Sequence, residues 1–230
     1  MSERVNQPEG DAVKNINRGI IKELRNYSEM NYAVNHLRIP TSEHGRAEVA
    51  CLVERIVRFS NLLPKQLNDI DRATLMYHIV TRIISYDNNE SNNERYSYMQ
   101  AIRNGKAVCM GIAELYFILC TACGVKCQIV VGYSTDSQRD DAYHAWNQVK
   151  LRNGSGSYSW YMADPTWDLS ENNHPWKYFM KSDSYFLMNG HYWLKKHYEH
   201  CEFTLESKED YSEVIIDRIV SIFKQIVCEN

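Results

Sequence analysis

The 230-residue sequence has no apolar run approaching the length of a membrane span, which argues against a spanning helix. Met1 to Gly10 is polar and lacks the basic start, apolar stretch and small-residue cleavage site of a secretory signal. The expected location is therefore cytoplasmic, although signal-independent export would leave the same signature. Neither charge sign dominates: 26 Lys and Arg against 29 Asp and Glu give a net charge of -3, with no basic field to attract nucleic acid or an anionic membrane. There is no paired-cysteine framework either. Seven cysteines is an odd number, and a chain of this size does not need disulfide staples, so most are expected to be reduced thiols. Repeats, low-complexity tracts and linkers are also missing. What remains, at 44% hydrophobic and 24% charged residues, is a chain able to bury one substantial core.

The periodicities present place helices first, strands in the middle and a helix last, an α+β arrangement. Val13, Ile16, Ile20, Leu24 and Tyr27 recur at helical spacing between Asp11 and Leu37, and a second amphipathic stretch runs from Arg46 to Phe59. Residues 1–65 are read as an N-terminal helical layer of the same domain as a core spanning 66–230. Asn68 or Asp69 caps a helix with the stripe Leu75, Met76, Ile79, Val80 and Ile83, ending near Tyr86. Asp87 to Asn93 has the composition of a mobile polar loop. Gln128 to Tyr133, Ala142 to Leu151 and Tyr158 to Ala163 read as strands, with Ser134 to Asp141 as a solvated connecting loop placed to act as a lid. Ser207 to Asp210 resembles a capping box before a helix with the stripe Val214, Ile215, Ile219, Ile222 and Ile226.

Three reactive residues stand out in order: Cys109, His144 and Asp164. Ile112, Leu115, Tyr116, Leu119 and Ala122 form a helical stripe, so a helix beginning near Cys109 places that thiol on the buried side of its first turn. The positive end of the helix dipole favours thiolate there. Gly111 in the same turn costs roughly 1 kcal/mol relative to alanine, and close approach by substrate or a facing strand would account for it. A free cysteine is more often a packing residue, and a lone strand histidine or Asp-Pro is more often structural; the three together change that balance. Arg152 to Gly156 is a Gly-rich hairpin turn. A turn centred on Gly154 sets His144 directly opposite Asp164, with Cβ atoms about 4.5–5.5 Å apart, and pairs Trp146 with Met162 and Gln148 with Trp160. A two-residue Asn153-Gly154 turn instead sends Asp164 to the opposite face, so the expectation is an odd-length loop. A carboxylate so placed holds the imidazole in the tautomer that accepts the thiol proton.

Gly105-Lys-Ala-Val-Cys109-Met-Gly111, Gly132-Tyr133, His144-Ala145-Trp146-Asn147 and Asp164-Pro165-Thr166-Trp167-Asp168 together resemble the transglutaminase-like superfamily. Ile83 to Asp87 is similar to the segment before the catalytic helix in bacterial members, and the likeness covers roughly Leu75 to Trp193. It implies a papain-like fold with Cys109 as nucleophile, His144 as general base and then acid, and Asp164 as its orienter. It also implies attack on a peptide or protein amide through a thioester that passes to water or to an amine. A biosynthetic amide-forming acyltransferase fed by a carrier thioester, and a non-catalytic peptide-binding module, are the competing readings. Tyr143, Trp146 and Trp167 flank the three residues as candidate lining of the acyl cleft. The Cys109 backbone N–H is one expected oxyanion donor, and the second is open among Tyr96, Tyr98 and Gln100. No acidic run has calcium-loop spacing, and no cofactor is implied. Cys120, Cys123 and Cys127 read as core packing, and His191, His197, His200 and Cys201 carry no paired metal-ligand motif.

Overall fold

Asn68 decides where the helix before the core begins. Its side chain accepts the Asp71 N–H at 2.9 Å, and the Asp71 carboxylate accepts the Asn68 N–H at 3.1 Å. This reciprocal capping box satisfies two end groups that the helix cannot and contributes about 1 kcal/mol. The structure, a computed structural model, describes residues 43–136, 139–152, 156–169, 176–205 and 212–228. The amphipathic stretch expected between Asp11 and Leu37 and the capping box at Ser207 to Asp210 lie outside them. The chain divides into two compact units, residues 1–55 and 56–230. Helix α1 (Glu43–Ser60) supplies the described part of the first and the start of the second.

In the second unit, α2 (Asp69–Ile83) is followed by β1 (Ser85–Tyr86), a turn of 3-10 helix (Asn93–Tyr96), α3 (Tyr98–Asn104) and β2 (Lys106–Ala107). β1 and β2 pair in parallel, Ser85 with Lys106 and Tyr86 with Ala107. The intervening polar loop folds around Asp87, whose carboxylate accepts the Asn89 N–H and Asn92 Nδ2, each at 2.9 Å. Helix α4 (Cys109–Ala122) comes next. Of its expected stripe, Ile112, Leu115, Tyr116 and Leu119 are buried and Ala122 is half-buried, and Ala113, Phe117 and Cys120 are buried as well. A helix apolar on nearly all sides is an interior helix. α4 accordingly packs between α2 and α3 and the strands β3 (Lys126–Asp136) and β4 (Arg139–Arg152).

β3, β4, β5 (Tyr158–Ala163), β6 (Phe179–Lys181) and β7 (His191–Tyr192) form an antiparallel sheet in the order β6-β5-β4-β3-β7. Within the solvated loop expected from Ser134 to Asp141, residues 134–136 and 139–141 are instead strand: Ser134 pairs with Ala142 and Asp136 with Arg139. Side chains alternate across the sheet. Asn147 reaches the helical layer, donating from Nδ2 to the Ala113 carbonyl at 3.0 Å. Its neighbour Trp146 points the other way, into a cluster with Val130, Trp160, Met162, Phe186 and Cys201. Phe186 comes from helix α6 (Asp183–Met188), which follows α5 (Pro165–Asp168).

The C-terminal helix α7 (Glu213–Phe223) packs on α2, with Arg82 paired to Glu213 and Asp217 and the Phe223 ring edge-on to Phe59 at 5.1 Å. The residues it buries are Ile216, Val220 and Phe223, with Val227 buried in the turn that follows. The expected stripe is thus displaced, with Val214 77% exposed and Ile215 outside the core as well. Contacts with Phe59 and α2 select the face, and a helix apolar over a wide arc does not reveal that choice in its own sequence. None of the seven cysteines forms a disulfide, and no helix among the described residues is long and apolar enough to cross a membrane.

Candidate active site

Cys109 opens α4, immediately after Val108 at the N-cap. Val108 offers no side-chain acceptor, so the first-turn N–H groups, Cys109's included, receive no side-chain cap. Gly111 marks a tight approach by neighbouring backbone, since a Cβ there would lie 3.0 Å from the Ser97 carbonyl and 3.1 Å from that of Arg95. The Arg95 carbonyl also accepts the Val108 N–H at 2.9 Å. The 93–97 segment is therefore the facing backbone that explains a glycine in this turn. Glu114, buried in the same helix, accepts the Tyr98 N–H at 3.1 Å and fixes α3 to α4.

His144 sits on β4 opposite Gly132, and its Nε2 lies 2.7 Å from Asp164 Oδ2. That leaves Nδ1 for the hydrogen bond between the ring and the Cys109 thiol, which the Ala145 N–H also joins. The hairpin delivering Asp164 has the expected odd-length loop but a different register. Arg152 with Tyr158 is the last pair, and Asn147 faces Ala163, Gln148 faces Met162 and Lys150 faces Trp160. The predicted pairings of Trp146 with Met162, Gln148 with Trp160 and His144 with Asp164 are thus displaced by two residues. The Arg152–Tyr158 pair centres the loop one position beyond Gly154, and Gly156 takes φ 84° on the way into β5. An even displacement preserves facing, so Asp164 stays on the His144 side and reaches it diagonally.

Asp164 is not a strand residue. It lies past the end of β5, with its N–H bonded to the Tyr178 carbonyl, and it caps α5. Oδ1 accepts the N–H groups of Thr166 at 2.9 Å and Trp167 at 3.3 Å, while Pro165 takes the first helical position, where no donor is needed. The motif is a helix cap whose second oxygen is left to face the imidazole.

Sequence reasoning missed His191. This residue of β7 is fully buried, and its Nε2 lies 2.9 Å from the same Asp164 Oδ2. Gly132 makes the approach of β7 feasible, because a Cβ there would meet the Tyr192 carbonyl at 2.2 Å and the Trp146 ring at 2.8 Å. The nearest signals were Gly132 itself and the single histidine in a late strand, and neither identifies the contact. Of the other residues weighed for metal, His200 bonds Asp183 at 2.8 Å, and Cys201 is buried beside Gln148 Nε2 at 3.2 Å. Among the described residues, the group with metal-ligand chemistry is His144, Asp164 and His191, with ligand atoms within 4.8 Å of one another. Its two Nε2–Oδ2 separations have hydrogen-bond lengths.

Burial pushes the Cys109 thiol up, but the hydrogen bond and charge of His144 and the Ala145 N–H bring it below the ordinary thiol value. Burial pulls His144 down, and Asp164 more than reverses that, raising it to about 10. Burial also opposes an ionised Asp164, yet His144 and then His191 hold it well below the usual carboxylate range. At neutral pH this arrangement favours a thiolate and imidazolium pair backed by a carboxylate, and such a pair can attack an electrophilic carbonyl.

Tyr143 is 76% exposed and lies against Tyr133, and Trp167 is half-buried with its ring 5.8 Å from that of His144. Trp146, expected to line the cleft, is fully buried and stacks on His144 from within the core at 5.7 Å. It supports the histidine and offers no open ring surface. The Tyr96 hydroxyl takes an N–H from Arg95 at 3.3 Å, and Tyr98 is buried at the start of α3.

Residues 60–165 match the model of the transglutaminase-like superfamily. This stretch, just under half of the chain, is similar to that superfamily. It contains Cys109, His144 and Asp164, the residues that the geometry joins. Among solved structures, a protein of Cytophaga hutchinsonii described as a candidate cysteine protease matches at 18% identity and a TM-score of 0.39, over 50% of this chain and 38% of that one. A structure described as a TGase matches at 18% identity and a TM-score of 0.42, over 81% of this chain and 47% of the other. The chain thus spans less than half the length of either. No curated protein matches it.

Proposed function

We propose that the protein is a cysteine-nucleophile acyl-transfer enzyme acting on an amide of a peptide or protein, with Cys109 forming a thioester. The superfamily match supports cysteine-based enzyme chemistry in general. The finer reading rests on one observation: the thiol, His144 and Asp164 are hydrogen-bonded in series, with Cys109 lowered and His144 raised. The Cys109 thiolate adds to the amide carbonyl, His144 Nδ1–H protonates the departing amine, and the carbon–nitrogen bond breaks to leave the thioester. Neutral His144 then removes a proton from water or from an acceptor amine, which attacks the thioester and releases the thiol. The Cys109 backbone N–H is the proposed first oxyanion donor.

Intact-mass analysis of wild type and Cys109→Ala with a thiol-directed, amide-mimicking electrophile tests the assignment. Stoichiometric labelling of wild type and none of the variant is expected, and undiminished labelling of folded Cys109→Ala removes Cys109 from the role. With peptide extracts, a gain of about 1 Da reads as deamidation, fragments as proteolysis, and added mass with loss of ammonia as transamidation.

A further inference from the structure

At its outer end the sheet presents a row of exposed rings beside Cys109. Side chains alternate along a strand, so Tyr143, Ala145 and Asn147 of β4 share one face. α4 lies on that face: Asn147 bonds the Ala113 carbonyl, and a turn earlier the Cys109 thiol meets the Ala145 N–H. The helix starts at Cys109, while β4 extends beyond it. Tyr143 is therefore the first position on this face past the helix start, about 7 Å along the strand from Ala145, and it is 76% exposed. β5 pairs with β4 only from Arg152 to Asn147, so Tyr143 also lies past the end of that strand. On its other side Tyr143 pairs with Tyr133 of β3, which pairs in turn with Tyr192 of β7. Cross-strand partners share a face. The three tyrosines thus form one row, all exposed, with the Tyr133 and Tyr143 rings 4.7 Å apart.

Charge selects what such a row holds. Exposed phenol rings take either an apolar side chain or a cation lying on their faces. The strands that carry Tyr133 and Tyr143 run on into a hairpin, and its sequence from Ser134 to Ala142 holds Asp136, Asp140 and Asp141 against Arg139. A net negative hairpin next to the rings attracts a cation and repels a carboxylate.

We propose that Tyr133, Tyr143 and Tyr192 form a specificity platform for a cationic side chain, of lysine or arginine type, on the same peptide that brings the amide to Cys109. The inference names the substrate class for the acyl-transfer reading above and rests on it. An extended peptide spans about 3.3–3.6 Å per residue, so a basic residue one or two positions from the reacting amide bridges the distance from the thiol to Tyr143. The platform binds and orients, and takes no part in bond making. The pairing of β3 with β4 and β7 adds Tyr133 and Tyr192 to Tyr143 as recognition residues, and the hairpin gives the sign of the group they hold.

The test uses the full-length protein and acetylated tripeptides that carry a chloromethyl ketone in place of the reacting amide. They differ only in the neighbouring residue: arginine, its neutral isostere citrulline, or phenylalanine. The second-order rate of Cys109 labelling is measured for each. Wild type should react about tenfold faster with the arginine probe than with the citrulline probe, and the ratio should shrink as salt rises from about 0.02 M to about 0.3 M. Tyr133→Leu combined with Tyr143→Leu should bring the ratio close to unity, whereas Tyr143→Phe keeps a ring face and most of the preference. The comparison of probes on wild type needs no variant, and thermal midpoints show that each variant is folded. Equal rates for arginine and citrulline, a faster phenylalanine probe, or a preference undiminished in the folded double variant overturns the platform and leaves the acyl-transfer reading intact. A wild type whose Cys109 none of the probes labels overturns that reading, and the platform with it.

Discussion

Asp164 and Asp168 stand at the two ends of one short helix, both buried and both rich in hydrogen bonds, yet their acidities move in opposite directions. Asp164 accepts two backbone N–H groups and two imidazoles, and the imidazoles outweigh the cost of burial. Asp168 accepts the Tyr77 hydroxyl at 2.6 Å and the N–H groups of Lys177 and Tyr178. For Asp168 burial prevails: it raises the carboxyl to about 7, with the negative charge of Asp164 adding to the shift. The number of donors does not separate the two. The charge that the donors can carry does, because a partner that becomes cationic returns more of the solvation energy that a buried carboxylate loses than a neutral N–H or O–H donor does. The short helix thus supports two kinds of residue: one electrostatically committed to His144, and one that ties the 177–178 segment beside it.

The largest expected effect comes from making Asp164 resemble Asp168 in charge. Asp164→Asn keeps the Oδ1 cap but turns a donating amide towards two imidazoles. His144 then exposes an N–H to the thiol in place of an acceptor, so it cannot take the proton. Labelling of Cys109 by an amide-mimicking electrophile should fall by on the order of 10²–10³-fold; wild-type labelling kinetics would detach the carboxylate from the chemistry.

The next effect is on stability. Asp164 has a depressed folded value, so its contribution is present above the unfolded carboxylate value near 3.9 and is lost as pH falls. His144 has a raised value, so its contribution is complete below about 6.5 and is lost as pH climbs through about 10. Asp168 has the opposite sign to Asp164: its folded form binds the proton more tightly, so stability is lost as pH rises from about 4 to about 7, at roughly 1.4 kcal/mol per unit. Asp168→Asn should flatten that part of the profile in thermal melts taken across pH 4 to 8. An unchanged slope would mean that Asp168 is not the group titrating there.

The smallest change sharpens the comparison from the other side. Tyr77→Phe removes a neutral donor that helps Asp168 ionise, so the carboxyl should rise further while the protein loses about 1–2 kcal/mol. Carboxyl NMR and denaturant unfolding read the two effects separately. A downward move of Asp168 would show that Tyr77 acts through packing against Tyr116, Trp176 and Phe179 alone.

Cys109 was legible because a helical stripe and a helix start are local patterns. The odd hairpin loop was legible because strand alternation has a period of two, so facing survives even when the register moves. The register did not, since the Arg152–Tyr158 pair centres the loop one position beyond Gly154. Trp146 shows the same limit: alternation gives its side of the sheet, while Val130, Met162 and Phe186 decide that this side is covered. His191 lay beyond any local pattern, 27 residues from Asp164 along the chain.

By itself, then, the sequence determined the α+β order, the thiol at a helix start and the facing of His144 towards Asp164, all consequences of short-range geometry. Only the tertiary structure decided that Asp164 caps a helix with one oxygen and meets two imidazoles with the other. Those imidazoles come from β4 and β7, strands on opposite sides of β3, where Gly132 lets β7 approach closely.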